Sequence, residues 1–179
     1  MAETLRLDKL CKEGQTAYQR KDYLGAARAF QAASEGYKIA GDTLTAAEML
    51  NNCSVAFLQA GDASTALKIV QGTELIFSEA GDRRRQALAI GNQAAALDAL
   101  GRLEEAADAY ESSAEILKQV GDIELFTSVM QALSGLRLRQ GRQLEALATM
   151  QIGLSVIEKP SPKQRLAKKI LNSPFKLIS

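Results

Sequence analysis

Residues 60–82, AGDASTALKIVQGTELIFSEAGD, begin and end on the same triplet. Between the triplets lie Ala66, Val70 and Thr73, at steps of four and three, with Leu67 and Leu75 widening the stripe. That is the spacing of one helical face, because an α-helix turns once in about 3.6 residues. Glycine tolerates the left-handed backbone that commonly follows the last turn of a helix. An aspartate next to it can accept the free N–H groups of the following helix. AGD is therefore a stop, a turn and a start, and one helix is expected over 63–80.

The same punctuation runs along the chain. AGD also stands at 40–42 and 80–82, VGD at 120–122, and the slot shortens to GR at 101–102 and 141–142. Gly41, Gly61, Gly81, Gly101, Gly121 and Gly141 are 20 residues apart, and Lys21 fills the earlier slot. The intervening segments are rich in Ala, Leu, Glu, Gln and Lys, all strong helix formers, and no proline precedes Pro160. The spacing predicts eight helices, near 5–20, 23–40, 43–60, 63–80, 83–100, 103–120, 123–140 and 143–158. Turns this short force consecutive helices into antiparallel hairpins.

Alternate segments differ, so the repeating unit is 40 residues. The second helix of each pair carries an alanine with a large residue four positions later: Ala26/Phe30, Ala66/Val70, Ala106/Tyr110 and Ala146/Met150. Ala33, Thr73, Ser113 and Gly153 continue that stripe. The first helices hold small residues at Gly14, Ser54, Ala94 and Ser134. A small residue lets the paired helix approach, and the large one fills the space beside it.

These residues resemble the tetratricopeptide repeat (TPR). The first unit matches at Leu10, Gly14, Asp22-Tyr23, Ala26, Phe30 and Ala33. The second offers Leu50, Ser54, Phe57, Gly61-Asp62, Ala66 and Val70. The third has Ile90, Ala94, Leu97, Gly101, Leu103, Ala106 and Tyr110, and the fourth Met130, Ser134, Gly141, Ala146 and Met150. The unit exceeds the family's usual length of about 34 residues, as in the extended repeats of kinesin light chain and Leu-Gly-Asn-repeat adaptors. No unit carries the motif's proline after its second helix, and the chain has no tryptophan. The resemblance implies an all-α fold: a right-handed solenoid of antiparallel helical hairpins, with four TPR-like repeats over 1–160 (about 5–40, 43–80, 83–120 and 123–158).

Residues 161–179 differ from the repeats. Ser161-Pro162 is a helix start, and a short amphipathic helix follows with Leu166, Ala167 and Ile170 on one side and Arg165, Lys168 and Lys169 around the rest. Its expected role is a C-terminal capping helix, because an open end of a solenoid needs cover.

In the family, first helices line a concave face that holds a peptide. Carried over, that face would present Gln15, Tyr18 and Gln19 from the first unit and Asn51, Val55, Leu58 and Gln59 from the second. Leu88 and Asp98 would come from the third, and Gln131, Leu138 and Arg139 from the fourth. The amides suit a peptide backbone, being both donors and acceptors, and the leucines add apolar contact. Gly91 and Gly135 leave mid-helix space there, either for tight packing or for a ligand. Chaperone-binding members clamp two carboxylates with basic residues; the matching positions here hold Cys11, Asn51, Gly91 and Gln131, so a C-terminus ending in EEVD is not the expected ligand. Asn52 and Asn92 are expected to hydrogen-bond between neighbouring repeats.

Arg83-Arg84-Arg85 and the cluster Arg137, Arg139 and Arg142 suggest an acidic protein partner, set against the plainer expectation of a solvated surface. Overall charge is only +1, with 22 basic and 21 acidic residues, so neither nucleic acid nor a membrane surface is expected. No segment of 18 apolar residues occurs, and the N-terminus does not read as a signal peptide. Cys11 and Cys53 form no metal or redox spacing and suit a reducing compartment, the cytoplasm. Histidine is absent, so no His-based catalytic pair can form. With no phosphate loop, the expectation is a non-enzymatic adaptor without cofactor that binds protein or peptide. The alternative is a self-associating module, a homo-oligomer through its terminal repeats, or a regulatory subunit of an assembly.

Overall fold

The computed structural model describes residues 2–158 and 160–172, with side chains over 5–158 and 160–167. The helices are α1 (Ala2–Gln19), α2 (Tyr23–Ile39), α3 (Thr43–Gln59), α4 (Ala63–Val70), α5 (Thr73–Glu79), α6 (Arg83–Ala99), α7 (Leu103–Val120), α8 (Ile123–Arg139), α9 (Gln143–Ser155) and α10 (Pro162–Asn172). The described residues contain no strand. Successive helices pack on one another except α4 and α5, which each pack on α3 and α6, and α3 also meets α6. The result is an all-α, solenoid-like run of paired helices.

The turns behave as their residues require. Gly41, Gly61, Gly81, Gly101, Gly121 and Gly141 all have φ between +72° and +87°. At the first of these, Gly41 N–H donates to Lys38 O at 3.1 Å and Asp42 N–H to Tyr37 O at 2.9 Å. This is the Schellman closure, which satisfies carbonyls that a helix end leaves open. Lys21 adopts the same left-handed conformation at φ 63° without glycine's freedom. On the far side of each turn the aspartate caps the next helix: Asp42 Oδ1 accepts from Thr45 N–H at 3.0 Å, and Asp62, Asp82 and Asp122 repeat the bond with Thr65, Arg85 and Leu125. Arg102 and Arg142 occupy the same slot and supply no such cap.

The small-against-large pairing holds the hairpins together. A Cβ on Gly14 would lie 2.7 Å from Phe30 Cε1, so the Phe30 ring fills the space that the glycine leaves. Where the small residue is serine, its hydroxyl donates across the hairpin: Ser54 Oγ to Ala66 O and Ser134 Oγ to Ala146 O, both at 2.8 Å. Ala26, Ala66, Ala106 and Ala146 are essentially fully buried. Core clusters follow one another along the run, from Ala27, Phe30 and Cys53 to Leu97, Tyr110 and Leu133, and then Leu117, Phe126 and Met130.

One expected helix is two. The segment 63–80 breaks at Gln71 (ψ 130°) and Gly72 (φ 87°), separating α4 from α5. Thr73 Oγ1 donates back to Val70 O at 2.8 Å, capping the broken end, and itself accepts from Asn51 Nδ2 at 3.0 Å. The apolar spacing across the break stays helical on both sides, which is why the stretch looks continuous as sequence. At the other end, the start of α10 follows expectation. Ser161 N–H donates to Gln164 Oε1 at 2.7 Å, and Ser161 Oγ accepts from Gln164 N–H at 3.4 Å, a reciprocal capping box.

Candidate functional site

The first helices of the pairs are α1, α3, α6 and α8. Residues 40 apart on them occupy equivalent positions, so the expected site resolves into rows. In the row Gln15, Val55, Ala95 and Gly135, the first two border open space, while Ala95 packs against the central core. An open hollow of about 250 Å³ lies between α1 and α3, lined by Gln15, Tyr18, Gln19, Phe30, Asn52 and Val55. Gln15 and Gln19 are exposed, and Tyr18 and Val55 half-buried. Tyr18 also meets Tyr23 edge-on, with ring centroids 5.4 Å apart, which fixes one wall of the hollow.

Leu58 and Leu88 are half-buried and Gln59 is exposed. Leu58 leans on the central core cluster. Leu138 is 54% exposed. Asp98 and Arg139 belong to neighbouring first helices and close on each other at 2.6 Å.

The row Cys11, Asn51, Gly91 and Gln131 turns elsewhere. Asn51 was expected on the binding face. It is instead 7% exposed and fully engaged: Nδ2 donates to Ala47 O and Thr73 Oγ1, both at 3.0 Å, and Oδ1 accepts from Asn92 Nδ2 at 3.1 Å. Cys11 contacts Met49 Sδ at 3.3 Å, and a Cβ on Gly91 would sit 3.4 Å from Ser113 Oγ. Gln131 faces a second hollow of about 200 Å³, between α8, α9 and α10, with Met130, Met150, Leu154, Lys163 and Ala167. Cys11 and Asn51 thus reach the neighbouring hairpin from positions four residues, or about 40° around the helix, away from Gln15 and Val55.

The two neighbouring asparagines thus exchange expected roles. Asn52, assigned to the inter-repeat joint, lines the open hollow, and its side chain has no hydrogen-bond partner among the described residues. Asn51, assigned to the hollow, forms the joint with Asn92. The signal missed in the sequence is the glycine break at Gly72, which brings Thr73 under Asn51.

The arginine runs are engaged within the chain. Arg84 meets Asp122 at 2.8 Å, while Arg85 meets Asp82 at 2.6 Å and Glu48 at 3.0 Å. Arg137 meets Glu111 and Arg142 meets Glu145, both across short distances. Arg83 donates to the amide oxygens of Gln86 and Gln119. Arg84–Asp122, Arg85–Glu48 and Arg139–Asp98 join residues 37–41 apart and tie one hairpin to the next. Arg85 further stacks on the Phe77 ring at 5.3 Å.

The titratable groups inside the fold are quiet. Burial pushes the Cys53 thiol up to about 11 and raises Cys11 as well, away from the reactive thiolate. Burial also pushes Tyr110 up to about 12. Among the described residues no group of three or more His, Cys, Asp or Glu could hold a metal ion, and no helix is long and apolar enough to cross a membrane.

The tail helix packs on α9 but leaves Leu166 60% exposed, with Ala167 half-buried. The side chains expected to join them, Ile170, Lys168 and Lys169, lie outside the described residues. The outer face of α9 is also apolar and open: Leu144 is 82% exposed, Ile152 51% and Leu147 38%.

No protein-family model matches the sequence, and no curated protein matches it. Solved structures do match the fold. A protein from Podosopora anserina, described as a kinesin light chain with nearly identical TPR-like repeats, superposes with TM-score 0.76 at 14% identity, covering 93% of this chain and 83% of that one. A single-residue variant of the same protein gives TM-score 0.76 and 14% identity, covering 93% and 82%. The chain therefore has an all-α helical-repeat fold similar to TPR-like kinesin light chain repeats.

Proposed function

We propose that this protein is a non-enzymatic scaffold of four TPR-like repeats, spanning about 1–160 and closed at its C-terminal end by α10. It binds a protein or peptide segment along the concave face of the first helices, without a cofactor, in a reducing compartment such as the cytoplasm. The observation that carries this reading is the hollow between α1 and α3. It is walled by Tyr18, Phe30 and Val55 and edged by the amides of Gln15, Gln19 and Asn52, which have no hydrogen-bond partner among the described residues. Such a surface matches an extended chain, whose peptide groups need donors and acceptors and whose side chains need apolar walls. The test is affinity capture from the native cell with the parent chain and a Gln15→Ala/Val55→Arg variant. Loss of a specific partner in the variant, with an unchanged melting temperature, is expected. An unchanged set of captured proteins sinks the reading.

A second reading, self-association, draws on α9. Its residues are apolar nearly all round, as in buried helices, yet Leu144 and Ile152 face outward. At the equivalent outer positions of α7 stand Glu104 and Ser112. Two copies packed through α9 would cover this face. Light scattering after size exclusion decides it. A dimer converted to monomer by Leu144→Glu supports it, and a monomer at high concentration ends it.

A further inference from the structure

We propose that the joint surface of α9 is a docking site for an amphipathic α-helix of another protein, one with an alanine-rich stripe, and that α10 is a short placeholder which this helix replaces. The site is separate from the concave face and from the outer face of α9. Its first support is the repeat itself. At each joint, one stripe of a second helix receives the first helix of the next pair. Across the first joint Cys53 Sγ donates to Ala27 O at 3.3 Å and Ser34 Oγ to Ala46 O at 2.9 Å; across the second, Gln93 Nε2 donates to Glu74. On that stripe Ala27, Leu67 and Ala107 are 1%, 7% and 4% exposed, whereas Leu147, the same position on α9, is 38% exposed. Phe30, Val70 and Tyr110 are buried, and their counterpart Met150 is half-buried.

The second support is the poor fit of α10. The helices that fill the earlier joints, α3, α6 and α8, have 17 residues each, and α10 has 11. At 1.5 Å per residue it falls short by about 9 Å. Even where α10 lies, the joint is not filled. The hollow of about 200 Å³ stays open between Met130, Met150 and Leu154 on one side and Ala167 on the other. Leu166 of α10 is itself 60% exposed. A gap in an apolar seat forfeits the packing contacts that a well-matched helix would make.

The earlier joints also define the occupant. They seat an α-helix each time, so the surface has the shape of a helix. Where leucine holds the stripe, at Leu67, its core cluster includes Ala94 and Ala96 of the incoming α6, so bulk on one side meets small residues on the other. On α9 the stripe is bulky throughout, with Leu147, Met150 and Leu154, and it therefore matches small residues along the whole facing stripe. A second copy stacked head to tail does not match. Its α1 carries Lys9, Glu13 and Thr16 at the positions where α3 buries Met49, Cys53 and Ala56. Burying those groups against leucine and methionine strips them of water without giving partners.

The probe is a fluorescein-labelled, end-blocked peptide of residues 83–99 with Gln93→Ala, because Leu154 stands where Glu74 accepts from Gln93. Anisotropy is followed as the full chain is titrated in, with amide hydrogen exchange measured at saturation. Saturable binding is expected, together with faster exchange over 162–172 as α10 is released. Leu147→Glu should weaken binding by about tenfold or more, equivalent to about 1.4 kcal/mol, without lowering the melting temperature. Ala148→Glu places the same charge on the neighbouring exposed position and should leave binding unchanged. A peptide that also carries Ala89→Leu and Ala96→Leu should bind more weakly than the probe, through overpacking. Absence of saturable binding overturns the proposal, as does binding indifferent to Leu147→Glu. Binding without faster exchange over 162–172 overturns the replacement of α10. None of these outcomes depends on Gln15, Val55 or the concave face, so the groove reading stands or falls separately.

Discussion

Replacing Gly72 by alanine distinguishes a broken helix from a continuous one by the sign of the effect. If 63–80 were one helix, Gly72 would be a helix-interior glycine, and Gly72→Ala would stabilise by about 0.5–1 kcal/mol. In the structure Gly72 has φ 87°, and a Cβ there has open space within 4 Å, so sterics with neighbours play no part. What remains is the backbone. The left-handed conformation costs an L-residue about 1–2 kcal/mol, and the lower entropy of the unfolded alanine chain offsets about 0.4–1 kcal/mol of that. Net destabilisation by up to about 1.5 kcal/mol is expected, a drop in melting temperature of a few degrees at roughly 2–4 °C per kcal/mol for a chain of this size. Gly135→Ala is the internal control. It sits in unbroken helix with nothing nearer than 3.8 Å to a new Cβ, and should stabilise by about 0.5–1 kcal/mol. Both are read by thermal melts followed by circular dichroism. Stabilisation by Gly72→Ala refutes the break and everything built on Thr73's position.

Asn51→Ala should cost about 1–3 kcal/mol, because it removes the Asn51 bonds to Ala47 O, Thr73 and Asn92 at a buried site; Asn52→Ala should leave stability within about 0.5 kcal/mol and weaken groove ligands instead, as chemical denaturation and peptide titration would show. Ser54→Ala removes the buried bond to Ala66 O and should cost about 1 kcal/mol, measured the same way. Hydrogen bonds from the first-turn backbone hold the Asp42, Asp82 and Asp122 carboxyls below their ordinary value. Their folded pKa lies below the unfolded one, so the stability they add is complete above the ordinary carboxylate range near pH 4 and is lost as pH falls through the lowered folded values. Asp42→Asn, which caps without titrating, should flatten that acid slope in a pH series of melts; an unchanged slope would count against the cap.

Much of the fold was legible as sequence because its determinants are local. Six glycines at a spacing of 20 mark the turns, and left-handed φ is a property of the residue itself. The pairing of Gly14 with Phe30 was legible too, since helical periodicity places both on facing stripes. The site was less so. Gln15, Tyr18, Gln19 and Val55 surround one hollow, whereas Asn51 turns to the joint with Asn92 and Gln131 to the hollow beside α9 and α10. Asn51 and Val55 differ by only about 40° of rotation about the α3 axis, and a 40-residue period by itself cannot say which row faces out. Nor could the arginines be judged from composition, because partners such as Glu48 of Arg85 and Asp98 of Arg139 lie 37 and 41 residues away.

By itself the sequence determined where the helices stop and start and which of them pair. Caps, left-handed turns and small-residue contacts depend on neighbours within a few residues or one hairpin. Only the tertiary structure decided the break at Gly72, the exchange of roles between Asn51 and Asn52, and the pairing of Arg139 with Asp98. Each of these depends on how one hairpin rotates against the next. That angle is set by the shape of buried surfaces such as Thr73 under Asn51, which no local pattern of residues encodes.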